Sequence, residues 1–255
     1  EPTLHPLLPK VINSAGKYAI DTALTTNGVK MNAKFLDECL ANLFSIKISV
    51  IDSDPKRYAD FHRVNENHWK KVIENIKYAT NLKSRNNFKC VIHTTIYAED
   101  STYEYLKNMV EFCKNIGFDL VTISNALYSP RTPEPISKKP AFKKFKNHTN
   151  YLKSLEADIL SLAKDNFEID INLRDAAFTT KNKPYVDETK KINCPGINFS
   201  TMIDAKGYVY PCWRYWGKPE YAYGNVIENS FEEIWKSENR KTINNKMKTE
   251  FYSEK

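Results

Sequence analysis

The sequence predicts an α/β protein built on a parallel sheet, followed by a smaller domain of different rhythm. Three observations carry this. Short β-rich runs alternate with stretches of helical spacing through roughly the first 180 residues, the pattern of repeated βα units. A Pro- and Lys-rich stretch over 125–150 interrupts it with Pro130, Pro133, Pro135 and Pro140. From about residue 182 the chain changes to short strands, a hairpin signal, three of its four tryptophans and a late helix. Parallel returns need crossovers, so the first part reads as a sheet with helices between its strands.

The elements follow in order. Residues 19–28 (AIDTALTTNG) are β-rich and end in a turn signal, and 33–44 carry helical spacing at Phe35, Leu36, Cys39, Leu40 and Leu43. Residues 46–51 (IKISVI) read as a buried strand. A helix over about 66–82 places Trp69, Val72, Ile73, Ile76 and Ala79 on one face. Then come a strand over 89–97, a helix over 101–117 closed by Gly117, and a strand over 118–124. A helix at about 151–165 and a strand at about 167–173 resume the pattern. In the last part Asp204-Ala205-Lys206-Gly207 is a hairpin turn, and a helix begins near Ser230.

Composition is that of an ordinary globular protein: 41% hydrophobic, 27% charged, mean hydropathy −0.57. No apolar run approaches the ~18 residues of a membrane span. The first residues, Glu-Pro-Thr-Leu-His-Pro, lack a basic stretch followed by an apolar one, so a reducing cytoplasm is expected. The net charge of +7 comes from lysines spread along the chain. Its densest cluster, 137–148, interleaves Lys138, Lys139, Lys143, Lys144 and Lys146 with Phe142 and Phe145. Single-strand binders use such a composition, but a solvated connector explains it as well, and no nucleic-acid partner is expected.

The five cysteines divide into two groups. Cys39, Cys90 and Cys113 sit in apolar periodic patterns, where cysteine serves as a small core hydrophobe. Cys194 stands beside Pro195-Gly196, and Cys212 ends a hairpin strand. Without a secretion signal a disulfide framework is disfavoured. Zinc is poorly supported, because there is no Cys-x-x-Cys pair and His93 and His148 are not at ligand spacing.

Twelve residues separate Cys194 from Gly207 and four separate Gly207 from Cys212. This spacing resembles the opening half of the auxiliary iron–sulfur motif of SPASM and twitch domains, which follow radical S-adenosylmethionine barrels. Residues 224–243 (GNVIENSFEEIWKSENRKTI) are similar to that family's continuation, a Gly-Asn turn and then a helix with Glu232, Glu233, Ile234 and Trp235. Residues 1–12 (EPTLHPLLPKVI) resemble its Gly-Gly-Glu-Pro segment, 25–28 (TTNG) the end of its third strand, and 48–58 (ISVIDSDPKRY) the fourth. The resemblance covers essentially the whole chain.

It implies a partial (β/α)6 TIM-like barrel over 1–181 and a small α+β SPASM/twitch domain with a β-hairpin over 182–255. It implies that Glu1, Thr26, Asn27, Ser49 and Asp52 bind S-adenosylmethionine, and that Cys194 and Cys212 are metal ligands to an auxiliary iron–sulfur cluster. Each carries a plainer alternative: Glu1 a terminal carboxylate, Asn27 an Asn-Gly turn residue. Asp52 falls one residue beyond the Asp of the family's Ile-Ser-Ile-Asp-Ala pattern, which on a strand changes the face.

The Cys-x-x-x-Cys-x-x-Cys that holds the family's radical-generating 4Fe–4S cluster is absent from the sequence. It stands upstream of the Glu-Pro segment in the family, and the sequence ends where further cysteine ligands usually follow. The expectation is therefore an internal piece of a longer protein, inactive by itself, with a barrel edge lacking its neighbouring strand. For the intact protein the resemblance implies a radical S-adenosylmethionine enzyme that abstracts hydrogen from a peptide or small-molecule substrate. A flavodoxin or ferredoxin would reduce it. A small-molecule dehydrogenase, a non-catalytic barrel-derived binding module and a zinc hydrolase on a similar barrel are the alternatives.

Overall fold

The computed structural model describes residues 1–98, 101–124, 150–164, 166–173 and 195–250. The chain divides into two compact units, Glu1–Thr180 and Lys181–Lys255.

The first unit holds a five-stranded sheet in the order β1 (Ala23–Thr26), β2 (Ser45–Ile48), β3 (Val91–Tyr97), β4 (Leu120–Ser124) and β5 (Glu168–Asn172). Every pairing is parallel. The helices α1 (Leu8–Lys17), α2 (Ala33–Cys39), α3 (Pro55–His62), α4 (Asn67–Asn86), α5 (Tyr103–Ile116) and α6 (Glu156–Leu160) stand before and between the strands. Strands β1, β3, β4 and β5 alternate in burial, because successive side chains point to opposite faces. Leu24, Ile46, Ile48, Ile92, Ile96, Val121 and Ile123 supply the sheet's share of a core that also takes Leu36, Leu40, Ile76, Leu106 and Met109 from the helical layer. The opposite face is polar: Thr25, Lys47 and His93 stand in one register row, Thr95, Thr122 and Asp170 in a later one.

Local chemistry sets the boundaries. Asn32 accepts from the Phe35 amide at the start of α2, Asp54 from Arg57 ahead of Pro55 in α3, and Thr102 from Tyr105 in α5. Gly117 closes α5 with φ +97°, a left-handed cap. Two helices go beyond the expected elements. Helix α1 buries only Ile12, and α3 is short, polar and recognisable mainly by its Asp54-Pro55 start. The expected helix at 151–165 is interrupted by a turn at Leu155 ahead of α6. Most of the Pro/Lys connector, with the lysine cluster, lies outside the described residues.

The second unit has an antiparallel sheet of β6 (Met202–Ile203), β7 (Tyr208–Tyr210) and β8 (Gly224–Asn225), then α7 (Phe231–Lys236) and α8 (Glu238–Glu250). Asp204 shapes the hairpin by accepting from the Lys206 and Tyr208 amides, and Gly207 takes φ +86°. Ser230 and Glu233 form a reciprocal capping box on α7. The core consists of Ile197, Val209, Tyr223, Ile234, Ile243 and Met247.

Candidate functional site

The C-terminal ends of β1 and β2 form a rim of polar groups. At its centre is Glu1, which reaches the end of β1 across 26 residues of chain. Its Oε1 accepts from the Thr26 hydroxyl (2.6 Å), the Thr3 hydroxyl (2.6 Å) and the Thr3 amide (3.1 Å), and its Oε2 from the Asn27 amide (2.8 Å). Partial burial works against ionisation. The bonds from Asn27, Thr26 and Thr3 outweigh it, so the carboxyl pKa lies below its ordinary value. Oε2 bears a single donor, and a carboxylate oxygen has room for a second.

Thr26 is 2% exposed and does two tasks: its hydroxyl donates to Glu1 and accepts from the Gly28 amide (3.0 Å). Asn27 turns its side-chain oxygen to the Val29 amide (3.0 Å), so the Asn-Gly turn is real and its backbone N–H remains the Glu1 donor. Gly28 takes φ +78°, and a Cβ there would lie 2.9 Å from Ile48. Beneath the turn the buried Asn75 donates its amide to the Gly28 and Val29 carbonyls (2.8 and 3.3 Å). Sequence reading missed Asn75, although a lone amide inside the apolar stripe Val72, Ile73, Ile76 and Ala79 is a signal that a buried partner waits for it.

Ser49 continues the pairing, its amide donating to the Thr26 carbonyl (3.0 Å), and its side chain is half-buried beside Glu1's support. The strand then turns: the Val50 amide closes on the Ile48 carbonyl (2.9 Å). Asp52 follows with its carboxylate directed inward, 10% exposed at the side chain. Its Oδ1 accepts from Arg57 (3.0 Å) and the Asp54 amide (2.8 Å), and its Oδ2 from the Tyr105 hydroxyl (3.0 Å). Burial first, then the Asp52 charge, pushes the Tyr105 phenol up to about 12, so Tyr105 remains a donor. The Asp52 carboxylate, expected to bind S-adenosylmethionine, is thus engaged by its own neighbours. Thr26, Asn27 and Ser49 gather with Glu1, whereas Asp52 anchors the start of α3.

On the polar sheet face His93 stands beside Lys47 in register. Burial first, and then the Lys47 charge, lowers the His93 pKa, and Asp119 opposes them. Its Nδ1 is buried without a hydrogen-bond partner among the described residues. The alternation of polar residues within "VIHTTIY" was the available signal for this face.

The cysteines divide as their surroundings require. Cys39, Cys90 and Cys113 are buried thiols, and burial pushes each up to about 12. Cys212 is partly exposed, reduced, and placed after β7 at the entry to a short helical turn. Cys194 lies outside the described residues; the turn Pro195–Asn198 follows it directly. Among the described residues no three His, Cys, Asp or Glu side chains gather as a metal site. The donor that Cys212 offers fits an iron–sulfur cluster in kind, as a thiol at the end of a defined hairpin.

Residues 194–254 match SPASM, an iron–sulfur cluster-binding domain, and the match opens on Cys194. A tungsten-containing aldehyde ferredoxin oxidoreductase cofactor-modifying protein of Pyrococcus furiosus is 22% identical over 253 residues, 93% of this chain and 65% of that one. SuiB of Streptococcus suis bound to S-adenosylmethionine superposes with a TM-score of 0.65 at 17% identity, covering 98% of this chain and 55% of SuiB. Residues 194–254 thus carry the SPASM match, and the chain as a whole is similar in sequence to the Pyrococcus protein and in fold to SuiB. SuiB bound to its precursor peptide SuiA superposes similarly, with a TM-score of 0.64 at 17% identity, covering 98% of this chain and 54% of that one. The chain thus spans 65% of the length of the Pyrococcus relative and 55% of SuiB. The parallel five-stranded sheet has the partial-barrel fold of these structures, and the β6–β8 sheet with α7 and α8, here the SPASM unit, falls within the residues that match SPASM. No helix among the described residues is long and apolar enough to cross a membrane.

Proposed function

We propose that the protein is a radical S-adenosylmethionine enzyme that binds its cofactor on the rim at the ends of β1 and β2. The observation that carries this reading is the Glu1 carboxylate, ionised and held by its own turn at Thr3 and by Thr26 and Asn27 at the end of β1, with one acceptor position open on Oε2. An ammonium group completes it. Glu1 accepts from the cofactor's methionine amino group, and Thr26 and the Asn27 amide keep the carboxylate in place. Gly28 lets the backbone approach closely, and Asn75 holds that turn from below. Ser49 presents its hydroxyl to the polar part of the cofactor, and Asp52 fixes the rim through Arg57 and Tyr105.

Bound S-adenosylmethionine, reduced at a 4Fe–4S cluster, supplies the 5′-deoxyadenosyl radical that removes hydrogen from substrate. The residues of this chain orient the cofactor and shield its reacting end over the polar sheet face. Cys194 and Cys212 would hold an auxiliary cluster, taking part in electron transfer or substrate positioning. Precursor-peptide binding by SuiB supports a peptide substrate. The cofactor-modifying name of the Pyrococcus relative supports a second reading, a small-molecule or cofactor substrate. A flavodoxin or ferredoxin of the reducing cytoplasm is the proposed electron donor.

Equilibrium dialysis with S-adenosylmethionine tests the rim. Glu1→Gln keeps the shape and removes the charge, and it should weaken binding by roughly tenfold to a hundredfold, the range of one charge-assisted hydrogen bond. Equal affinity in the two proteins would place the cofactor elsewhere.

A further inference from the structure

The polar face of the parallel sheet carries a row of donors that the rim leaves unused. Thr25 on β1, Lys47 on β2 and His93 on β3 are register partners, so they stand on one face at the strand spacing of about 4.8 Å. Thr25 lies two residues before Asn27, and Lys47 two before Ser49, which places the row one step beneath the rim.

The row is short of acceptors. The Lys47 ammonium is half-buried and has no hydrogen-bond or ion-pair partner among the described residues. His93 Nδ1 is buried and equally without a hydrogen-bond partner, and the exposed Thr25 hydroxyl completes the row. A lysine drawn out of water usually finds a counter-charge, and a buried ring nitrogen a partner. A valine or threonine at position 47 would suit the strand without that cost.

Charge decides what the row can hold. Burial and the neighbouring Lys47 keep the His93 imidazole below its ordinary pKa against the opposing pull of Asp119, so the row bears one positive charge at neutral pH. With its single proton on Nδ1, His93 joins Lys47 in offering two N–H donors to an anion with two oxygens. A carboxylate matches that charge and shape, whereas a phosphate monoester carries roughly −1.5 to −2. Across the face the sign reverses. Glu168 stands in the same row beyond Leu120, and Asp170 in the next, both exposed on β5. They repel an anion from that end and leave it the β2–β3 end.

We infer that Lys47 and His93 form a subsite for a carboxylate group of the substrate, on the polar sheet face beneath the cofactor rim. One oxygen accepts from the Lys47 ammonium and the other from His93 Nδ1–H. The inference rests on the radical S-adenosylmethionine reading and narrows its substrate to one that carries a carboxylate near the hydrogen to be removed.

The test uses the protein expressed from its complete reading frame, reconstituted with iron and sulfide, oxidised, and isotope-labelled at histidine Cε1 for nuclear magnetic resonance. The His93 signal is the one missing from His93→Gln. Acetate is the probe and acetamide its uncharged counterpart. Acetate should shift the His93 signal saturably, acetamide should leave it in place, and bound S-adenosylmethionine should not displace acetate. Lys47→Met should weaken acetate about tenfold or more, the loss of one charge-assisted hydrogen bond. Lys47→Gln serves if the Met variant does not fold, and should neither fold, the comparison of acetate with acetamide in the wild type decides. No saturable shift with acetate, an equal response to acetamide, or full acetate affinity without the lysine overturns the inference. Displacement of acetate by S-adenosylmethionine assigns the carboxylate to the cofactor and overturns the substrate subsite. A protein that answers acetate but binds no S-adenosylmethionine supports the carboxylate subsite and removes the cofactor reading of the rim instead.

Discussion

The barrel unit and the SPASM unit build their sites in opposite ways. The rim at β1 and β2 is assembled by the chain itself: Glu1, Thr26, the Asn27 turn and Asn75 satisfy one another over a continuous apolar core. Among the described residues the SPASM unit has six in its buried core, while Phe199, Trp213 and Trp216 stand well exposed, the most open at 86%. So small a core supplies little free energy, and units of this size usually gain stability from a metal or a crosslink. On the proposed reading the rim is pre-formed for its cofactor, whereas the cluster end would depend on a cluster to complete it.

The largest expected effect breaks the comparison at its weak side. Cys194→Ala/Cys212→Ala should abolish auxiliary-cluster iron and leave the SPASM unit far more open to hydrogen exchange, with exchange in β1 to β4 unchanged. Equal protection of the SPASM unit with and without the cysteines would show that it needs no cluster.

On the pre-formed side, Gly28→Ala forces a side chain into a left-handed position with its Cβ 2.9 Å from Ile48. A loss of roughly 1–3 kcal/mol in denaturant unfolding is expected. Asn75→Leu tests the support below the turn. It removes the side-chain donor from the Val29 carbonyl and leaves the Gly28 carbonyl with only the longer bond from the Met31 amide (3.4 Å), at roughly 1–3 kcal/mol, and should weaken S-adenosylmethionine binding on the proposed reading. The smallest change is at the α7 cap, where Ser230→Ala should cost ~1 kcal/mol and leave cofactor binding intact.

Acid sharpens the contrast. The folded Glu1 pKa is depressed, so its stabilising contribution is complete above the ordinary carboxyl value and is lost as pH falls through the lower folded value. Cofactor affinity should therefore hold steady from neutral pH into mild acid and decline only below the usual carboxylate range. A decline that begins near neutrality would assign the charge to another group.

The alternation of β1 to β5 with their helices was legible because parallel strands buried on one face carry a strong apolar period. The hairpin was legible from Asp204 and Gly207, and the core cysteines from the company they keep. Helices α1 and α3 were not, although both are amphipathic: each is short, and α1 buries only Ile12 and α3 only Tyr58 and Ala59. Asn75 was missed for a different reason: its place in an apolar stripe signals a buried partner, but the partners are carbonyls 47 and 46 residues away, which no local pattern names. Asp52 shows the converse, a residue placed by resemblance whose oxygens the fold had already engaged.

The most direct measurement is 5′-deoxyadenosine formation from S-adenosylmethionine, with dithionite and no substrate, by the protein expressed from its complete reading frame and reconstituted with iron and sulfide, comparing wild type with Glu1→Gln. The account predicts cleavage by the wild type, with iron exceeding one 4Fe–4S cluster, and a marked loss in Glu1→Gln at subsaturating cofactor. A folded, iron-loaded protein that forms no 5′-deoxyadenosine would contradict it.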